Sequence, residues 1–511
     1  MSAHPARLAD PYEEGLTLSR QGRHAEAIAR FESALANKPD DAKVLFALGN
    51  TARALGMAAP AEQFFHKVLA LEPERLEALV NLANLLRTRG AYDAAEALLK
   101  PALARDPGAP ELWLTLGSVY REMGDDARAA AHYREALARR PDYVAALCNL
   151  ADLSVNAGAY EDAFTLYARA LSRDPKNARA RFNRSVLHFL KGDLREGWRD
   201  YEARLKIAAK HPAPDHGLPR WDGASLKHKH LLVSAEQGIG DQIMFASVIP
   251  DLVARAKADG GAIVVECEPR LVALFARSFP DAAVHASKIE MQGGTLRARY
   301  DWLKAAGGAN AFIELGSLPK ILRRALGEFP DPNSFLIPNA EEAARWRTIL
   351  PNANARTGIC WRSGMTGGSR SLQYAPLEAW AAFIRELPGA IVCAQYDARP
   401  EEIAALQAAS GRSIFVPPQL DQKNELDRTV AMLSVLDAVV SAPTAVSWLA
   451  AACGTPAIKV LYDSSWTGFG EDFEPFAPAC KHAKPDTGGD WATAFERALL
   501  LIRAAPIKAP L

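Results

Sequence analysis

The sequence predicts an α-helical solenoid built from repeats, followed by an α/β region of two strand–helix blocks. Three observations lead there. Small, aromatic and proline residues recur every 34 positions through the first 205 residues. A proline- and histidine-rich stretch, residues 206–230, then interrupts the helical pattern. From Leu231 onward, short β-branched runs alternate with helical stretches.

The repeat is read from several positions at once. Pro39, Pro73, Pro107, Pro141 and Pro175 keep the 34-residue step, as do Gly22, Gly56, Gly90, Gly124, Gly158 and Gly192. Ala27, Ala61, Ala95, Ala129 and Ala163 follow it too, and so do the small residues Gly15, Gly49, Ala83, Gly117 and Ala151. Small residues let two helices of one unit cross closely. Phe31, Phe65, Leu99, Tyr133 and Tyr167 fill the space toward the next unit, and each proline stops the second helix because it has no N–H to donate. A period of 34 with this pattern resembles the tetratricopeptide repeat. Five units conform. The sixth replaces its alanine by Gly197 and reads EGWRDYEARL over 196–205, as expected of a terminal unit that covers an apolar edge.

The resemblance implies that residues 1–205 bind protein. Asn81, Asn149 and Asn183 share one first-helix position, and Asn50 and Asn84 share another. An asparagine amide donates and accepts at once, so a ladder of them suits an extended acceptor backbone, as in the repeats of the animal O-linked N-acetylglucosamine transferase. The plainer alternative is a set of solvated polar residues on a helix face.

Charge and composition narrow the function. Lys+Arg and Asp+Glu both number 60, and this balance argues against a general nucleic-acid binder. Arg7, Asp10, Glu13, Glu14, Arg20 and Arg23 leave no room for a secretory h-region, and no apolar run is long enough for a membrane span. A cytoplasmic protein is the expectation. Its six cysteines, Cys148, Cys267, Cys360, Cys393, Cys453 and Cys480, form no CxxC pair and read as free thiols. The connector 206–230 carries four histidines whose spacing fits no zinc template.

Residues 231–350 and 351–511 read as two parallel-sheet blocks, since strand–helix alternation places helices on both sheet faces. The elements are LLVSA, one helix from Asp241 to about Lys257, AIVVECE, a helix around Arg270, TGICWRS, helices at 376–387 and 400–409 flanking AIVCAQY, SIFVP, a helix at 425–435, DAVVSA, a helix at 445–453 and AIKVLY, with an irregular stretch between the blocks and a terminal helix. Two Rossmann-like halves facing across a cleft describe the GT-B glycosyltransferase architecture, in which ligands sit beyond the carboxyl ends of the strands.

Two segments carry chemistry. In LLVSAEQGIGDQIMFASVIP (231–250) a strand runs through Glu236, Gln237, Gly238 and Gly240 to Asp241 at a helix start. The glycines allow the backbone to approach a ligand. The GxG pair lacks the remaining features of a dinucleotide fingerprint. This segment resembles the opening of the heptosyltransferase-like family, and that resemblance makes Asp241 the general base, with Glu236 in reserve. The alternative is that Asp241 only caps the helix and favours its dipole. The second segment is LDAVVSAPTAVSWLAAACGTPAIKVL (436–461). Ser441, Thr444, Ala445 and Ser447 surround a helix start suited to an anion, and Gly454 with Pro456 should end that helix. The resembled family places Asp-Thr-x-x-x-His here for the donor. Thr444 matches, whereas Pro443 and Trp448 stand where the acid and the histidine would be.

Between them, GICWRSGMTGGSRSLQY (358–374) brings Arg362 and Ser363, then Arg370, toward the same edge. By resemblance Arg370 or Arg362 contacts the donor phosphate, a task arginine performs bidentately; the alternative is a pair of solvated loop arginines. Gln395 reaches the same edge, toward base or ribose. No DxD triplet occurs, so helix dipole and basic residues would carry the phosphate charge, and neither metal nor cofactor is expected.

The whole arrangement resembles bacterial tetratricopeptide glycosyltransferases, and most of all the flagellin glycosyltransferases of alphaproteobacteria. That resemblance implies a cytoplasmic, inverting transferase whose repeats recruit flagellin and whose α/β half moves a nonulosonic acid, such as pseudaminic acid, from CMP to Ser or Thr. Two other readings stay open: a glycan or lipid-linked acceptor, and a scaffold whose transferase domain is inactive.

Overall fold

The computed structural model describes residues 10–207, 216–292, 295–329, 334–364, 373–486 and 490–504. Among these, twelve helices come first and strands follow. The helices pair as α1 (Pro11–Arg20) with α2 (His24–Asn37), α3 (Ala42–Ala54) with α4 (Ala58–Leu71), α5 (Leu76–Thr88) with α6 (Tyr92–Arg105), α7 (Pro110–Glu122) with α8 (Asp126–Arg139), and α9 (Val144–Asn156) with α10 (Tyr160–Arg173); α11 (Ala178–Leu190) and α12 (Leu194–Tyr201) follow. The chain divides into two compact units, 1–181 and 182–511, so the boundary falls inside α11 and the terminal hairpin belongs chiefly to the second unit.

Within the first unit the 34-residue period has a steric basis. Gly22, Gly56, Gly90, Gly124 and Gly158 follow the first helix of each pair with φ between 72° and 81°, a left-handed backbone that only glycine adopts without penalty. The earlier small residue has a different reason. A Cβ on Gly15 would lie 2.5 Å from the Phe31 ring, on Gly49 2.7 Å from Phe65, and on Gly117 2.8 Å from Tyr133. The aromatic ring of the second helix therefore sits directly on the backbone of the first, and Phe31, Phe65 and Tyr133 are fully buried. The third repeat pairs Ala83 with Leu99 at the same positions, both fully buried. Gly49→Val is accordingly expected to cost the repeat unit about 2 kcal/mol through overpacking. Adding Phe65→Leu should recover part of that loss in urea unfolding followed by circular dichroism.

Ion pairs join successive first helices. Arg87 meets Glu122 at 3.0 Å, and Asp152 accepts from Arg121 at 3.2 Å and Arg179 at 2.6 Å. Asn81 donates to Asn50 Oδ1 at 2.9 Å, so two of the asparagines expected to line a binding face also bond to one another.

The second unit holds two parallel sheets. The first has order β3-β2-β1-β6, from β1 (His230–Ser234), β2 (Ala262–Cys267), β3 (Ala282–Ala286) and β6 (Ala311–Glu314), with the antiparallel hairpin β4 (Ile289–Gln292) and β5 (Thr295–Ala298) beside it in sequence. The second has order β12-β11-β10-β7-β8-β9, from β7 (Arg356–Cys360), β8 (Ala390–Cys393), β9 (Ile414–Phe415), β10 (Ala438–Ser441), β11 (Ala457–Val460) and β12 (Cys480–Ala483). Every neighbouring strand pair in both is parallel. The connecting helices are α13 (Ile239–Ala246), α14 (Ile249–Asp259), α15 (Val272–Ser278), α16 (Pro319–Leu322), α17 (Ala340–Ile349), α18 (Leu377–Glu386), α19 (Pro400–Ser410), α20 (Leu426–Leu433), α21 (Ala445–Ala452) and α22 (Trp491–Ala504).

Two details differ from what the sequence predicts. The single helix expected from Asp241 to Lys257 is two, because Pro250 cannot donate and opens a new first turn, while Ser247 Oγ donates to the Met244 carbonyl at 2.8 Å. The stretch between the blocks contains α17, capped by the Asn339 side chain. The described part of the connector wraps onto the first sheet: Trp221 N–H donates to the Phe312 carbonyl at 2.7 Å, and Phe312 N–H to the Pro219 carbonyl at 3.0 Å, which extends the β6 edge. His216 packs against Tyr300 and Phe312.

Candidate active site

The two chemistry-bearing segments of the sequence meet. Strand β1 ends at Ser234, and the chain turns through Ala235–Gly238 into α13, with Gly238 as its N-cap and Asp241 in its first turn. Strand β10 ends at Ser441 and leads to Thr444, the N-cap of α21. Helices α13 and α21 pack together, and a Cβ on Gly240 would lie only 3.8 Å from Ala445. Two helix starts, each with outward N–H groups and positive partial charge, thus approach one another from opposite sheets. Asp241 is partly exposed at this junction.

The α21 start is built from buried hydroxyls. Thr444 Oγ1 accepts from Val446 N–H at 3.3 Å and lies 2.9 Å from Ser441 Oγ and 3.6 Å from Cys360 Sγ. Ser441 Oγ donates to the Ala442 carbonyl at 2.6 Å, and Ser447 Oγ to the Thr444 carbonyl at 2.9 Å. Ser441 and Ser447 are fully buried, so they shape the turn rather than face a ligand. Gly454, with φ 83°, ends the helix region before Pro456 as expected. Trp448 is buried, and the Lys459 ammonium sits 4.1 Å over its ring; Lys459 in turn pairs with the fully buried Glu474.

Arg362 and Gln395 differ from the expectation that they contact donor. The Arg362 guanidinium bonds Asp397 Oδ1 at 2.9 Å and Oδ2 at 3.0 Å, Glu402 Oε1 at 2.7 Å and Oε2 at 2.8 Å, and the Asp397 carbonyl at 3.1 Å. Two carboxylates surround one cation, the group carries net negative charge, and its donors are spent. Gln395 is 2 % exposed. Its Oε1 accepts from the N–H groups of Trp361 and Arg362, each at 3.0 Å, and its amide donates to the Arg362 carbonyl and to Asp397. It locks the end of β7 to the end of β8. Ser363 is half-buried next to this cluster, Arg370 lies outside the described residues, and Asn183 belongs to the second unit rather than to the repeats that hold Asn50, Asn81, Asn84 and Asn149.

Two groups at the first sheet's edge are visible only in three dimensions. Gln237 Oε1 accepts from Tyr201 O–H at 3.1 Å, and Glu236 Oε1 accepts from Arg204 Nη2 at 2.9 Å and Gly316 N–H at 3.1 Å. The sequence marked WRDYEAR as a cap but gave no sign that it reaches the EQGIGD turn. Glu266, on β2 and 2 % exposed, accepts from Ala235 N–H and from Tyr300 O–H, each at 3.3 Å. Burial pushes its carboxyl up to about 7 against the pull of these two bonds. The folded protein therefore prefers the protonated form, and the stability this group contributes is full below about 4.5 and lost as pH rises through about 7. Glu266→Gln should remove that dependence. Relative to wild type it should gain on the order of 3 kcal/mol between pH 4.5 and pH 8, read from paired urea midpoints.

Among the described residues, no group of three or more His, Cys, Asp or Glu side chains is placed to hold a metal ion, and no helix is long and apolar enough to cross a membrane.

Comparison with known proteins agrees with the repeat architecture. The model for the middle TPR-like domain of cilia and flagella-associated protein 70 matches residues 6–131, and a tetratricopeptide repeat model matches residues 114–178 and 148–212. Protein FlbA of Caulobacter vibrioides is 31% identical over 332 residues, 64% of this chain and 55% of that protein. The chain thus spans about half the length of that curated relative. The match is also longer than the 212 residues that reach the end of the repeats, so it extends into the α/β region. Among solved structures, a thermophilic tetratricopeptide protein of Thermus thermophilus is 28% identical, with 38% of this chain and 97% of that one covered and a TM-score of 0.31. A tetratricopeptide repeat protein of Parabacteroides merdae is 19% identical, with 39% and 80% covered and a TM-score of 0.33. The first part of the chain carries tetratricopeptide repeats, and this helical solenoid precedes a region of parallel sheets.

Proposed function

We propose that this chain is a protein O-glycosyltransferase of the GT-B type, working in the cytoplasm. Its repeats recruit an acceptor protein, of which flagellin is the foremost candidate. Its α/β unit transfers a nonulosonic acid of the pseudaminic acid type from a CMP donor to Ser or Thr. The observation that carries this reading is the meeting of the Asp241-bearing start of α13 with the Thr444-capped start of α21. One supplies a carboxylate and the other an anion-binding helix end, each following a strand of a different sheet, as suits an in-line displacement. Asp241 takes the proton of the acceptor hydroxyl as its oxygen bonds to the anomeric carbon. The bond from that carbon to the donor phosphate breaks, and CMP leaves with its charge against the α21 N–H groups. Attack opposite the leaving group inverts the anomeric centre.

The internally satisfied Arg362, together with Pro443 and Trp448 in place of an acid and a histidine, favours one competing reading: a scaffold whose transferase domain is inactive. Thermal unfolding of the purified chain with CMP, UDP, GDP and ADP separates the two. CMP at 100 times Kd should stabilise the fold by about 2.7 kcal/mol. A response to another nucleotide alone would replace the donor, and no response to any would leave the scaffold.

A further inference from the structure

We propose that the terminal hairpin of the repeat array is a working part of the catalytic site, with Tyr201 and Arg204 as positioning residues that hold the turn carrying Asp241. This rests on the transfer reading above. The turn 235–238 follows a strand but is not itself strand or helix, so side chains must fix it. Those side chains come from the end of the repeats. Tyr201 closes α12 and is 3 % exposed; its hydroxyl donates to Gln237, and its ring packs edge-on to Trp198 and tilted to Phe245 of α13. Arg204 lies one step further on, in the short 3-10 helix Glu202–Lys206, with its side chain 8 % exposed. It holds Glu236, donates to Ser317 Oγ at 2.7 Å and lies over the Tyr201 ring. Ser317 Oγ donates to Glu202 at 2.7 Å. Glu202 and Glu314 are in turn bridged by Arg220, so the clamp is anchored in β6.

The fit is close. A Cβ on Gly316 would lie 2.5 Å from the Gln237 amide, 2.6 Å from Glu236 Oε1 and 3.1 Å from Arg204. Consecutive residues of the turn, Glu236 and Gln237, are thus gripped by consecutive turns of the cap, and the chain enters α13 two residues before Asp241. A cap that only covered an apolar edge would need Phe189, Trp198 and the rings around them. It would not need two polar side chains reaching the turn on the catalytic face.

Tyr201→Phe and Arg204→Gln in the full chain test this by hydrogen–deuterium exchange and by steady-state transfer. Each should speed exchange over residues 235–242 about fivefold, the equivalent of one net hydrogen bond, while residues 438–452 keep the wild-type rate. Each should also lower kcat about tenfold, with donor and acceptor KM within about twofold. On an Asp241→Asn background neither should lower the residual rate further. Unchanged exchange over 235–242, or exchange raised throughout the unit, would overturn the proposal. If exchange rises locally but the wild-type chain transfers no sugar, the positioning stands and the transfer reading falls. Tyr201→Phe keeps the ring packing and decides the matter should Arg204→Gln not fold.

Discussion

Asp241→Asn is expected to reduce sugar transfer by about three orders of magnitude, because it removes the only group proposed to take the acceptor proton. The asparagine keeps the size of the side chain and remains compatible with the first turn of α13. It loses the favourable term between a carboxylate and the helix start, about 0.5 kcal/mol. Rate and stability therefore separate two roles for one residue. If Asp241 merely caps α13, the variant melts slightly earlier and turns over at the wild-type rate. Single-turnover transfer to acceptor protein, measured beside thermal unfolding, gives both quantities. The loss should fall on kcat rather than on donor KM, since proton abstraction is made only in the transition state.

Trp198→Ala is expected to be the most damaging single change in the second unit, costing about 3–5 kcal/mol. Trp198 is 1 % exposed and sits among Phe189, Tyr201, Phe245, Phe469 and Phe476. Those rings come from the terminal hairpin, from α13 and from the segment after β11, so one indole joins the cap to both sheets' surroundings. Its Nε1 donates to the buried Arg323 carbonyl at 2.7 Å, and truncation leaves that acceptor without its partner. Trp198→Phe keeps most of the ring contact and should lose about 1 kcal/mol, chiefly the hydrogen bond. Urea unfolding followed by tryptophan fluorescence and circular dichroism should show the shift in the transition of the second unit, with the repeat transition unmoved.

The repeats were legible because their cause is local. A left-handed turn demands glycine at Gly22 and its equivalents, and a ring laid on a backbone demands a small residue at Gly49 and its equivalents. Strands rich in Val, Ile and Leu, such as Leu231–Ser234 and Ala457–Val460, were also plain. Strand β3, AAVHA, was not, since alanine gives no β signal and the strand forms only because β2 offers it an edge. Of the site, the two helix starts could be read from glycine, threonine and proline placement. The fate of Arg362 could not be. Whether an arginine meets phosphate or carboxylate depends on Asp397 and Glu402, 35 and 40 residues away in sequence. The Tyr201–Gln237 and Arg204–Glu236 pairs escape the sequence for the same reason.

The sixth hairpin also reverses the steric pair of the other units. Its ring, Phe189, is on the first helix and its glycine, Gly197, on the second, so close that a Cβ there would strike the ring. This hairpin is consequently not interchangeable with any other rung, whereas the rungs before residue 181 share one pattern and one period. Excising or duplicating a single 34-residue unit among them would preserve phase and leave every residue of the second unit untouched. Array length is then a variable that evolution or an engineer can adjust separately from the α/β unit, setting how long a partner segment the repeats can span.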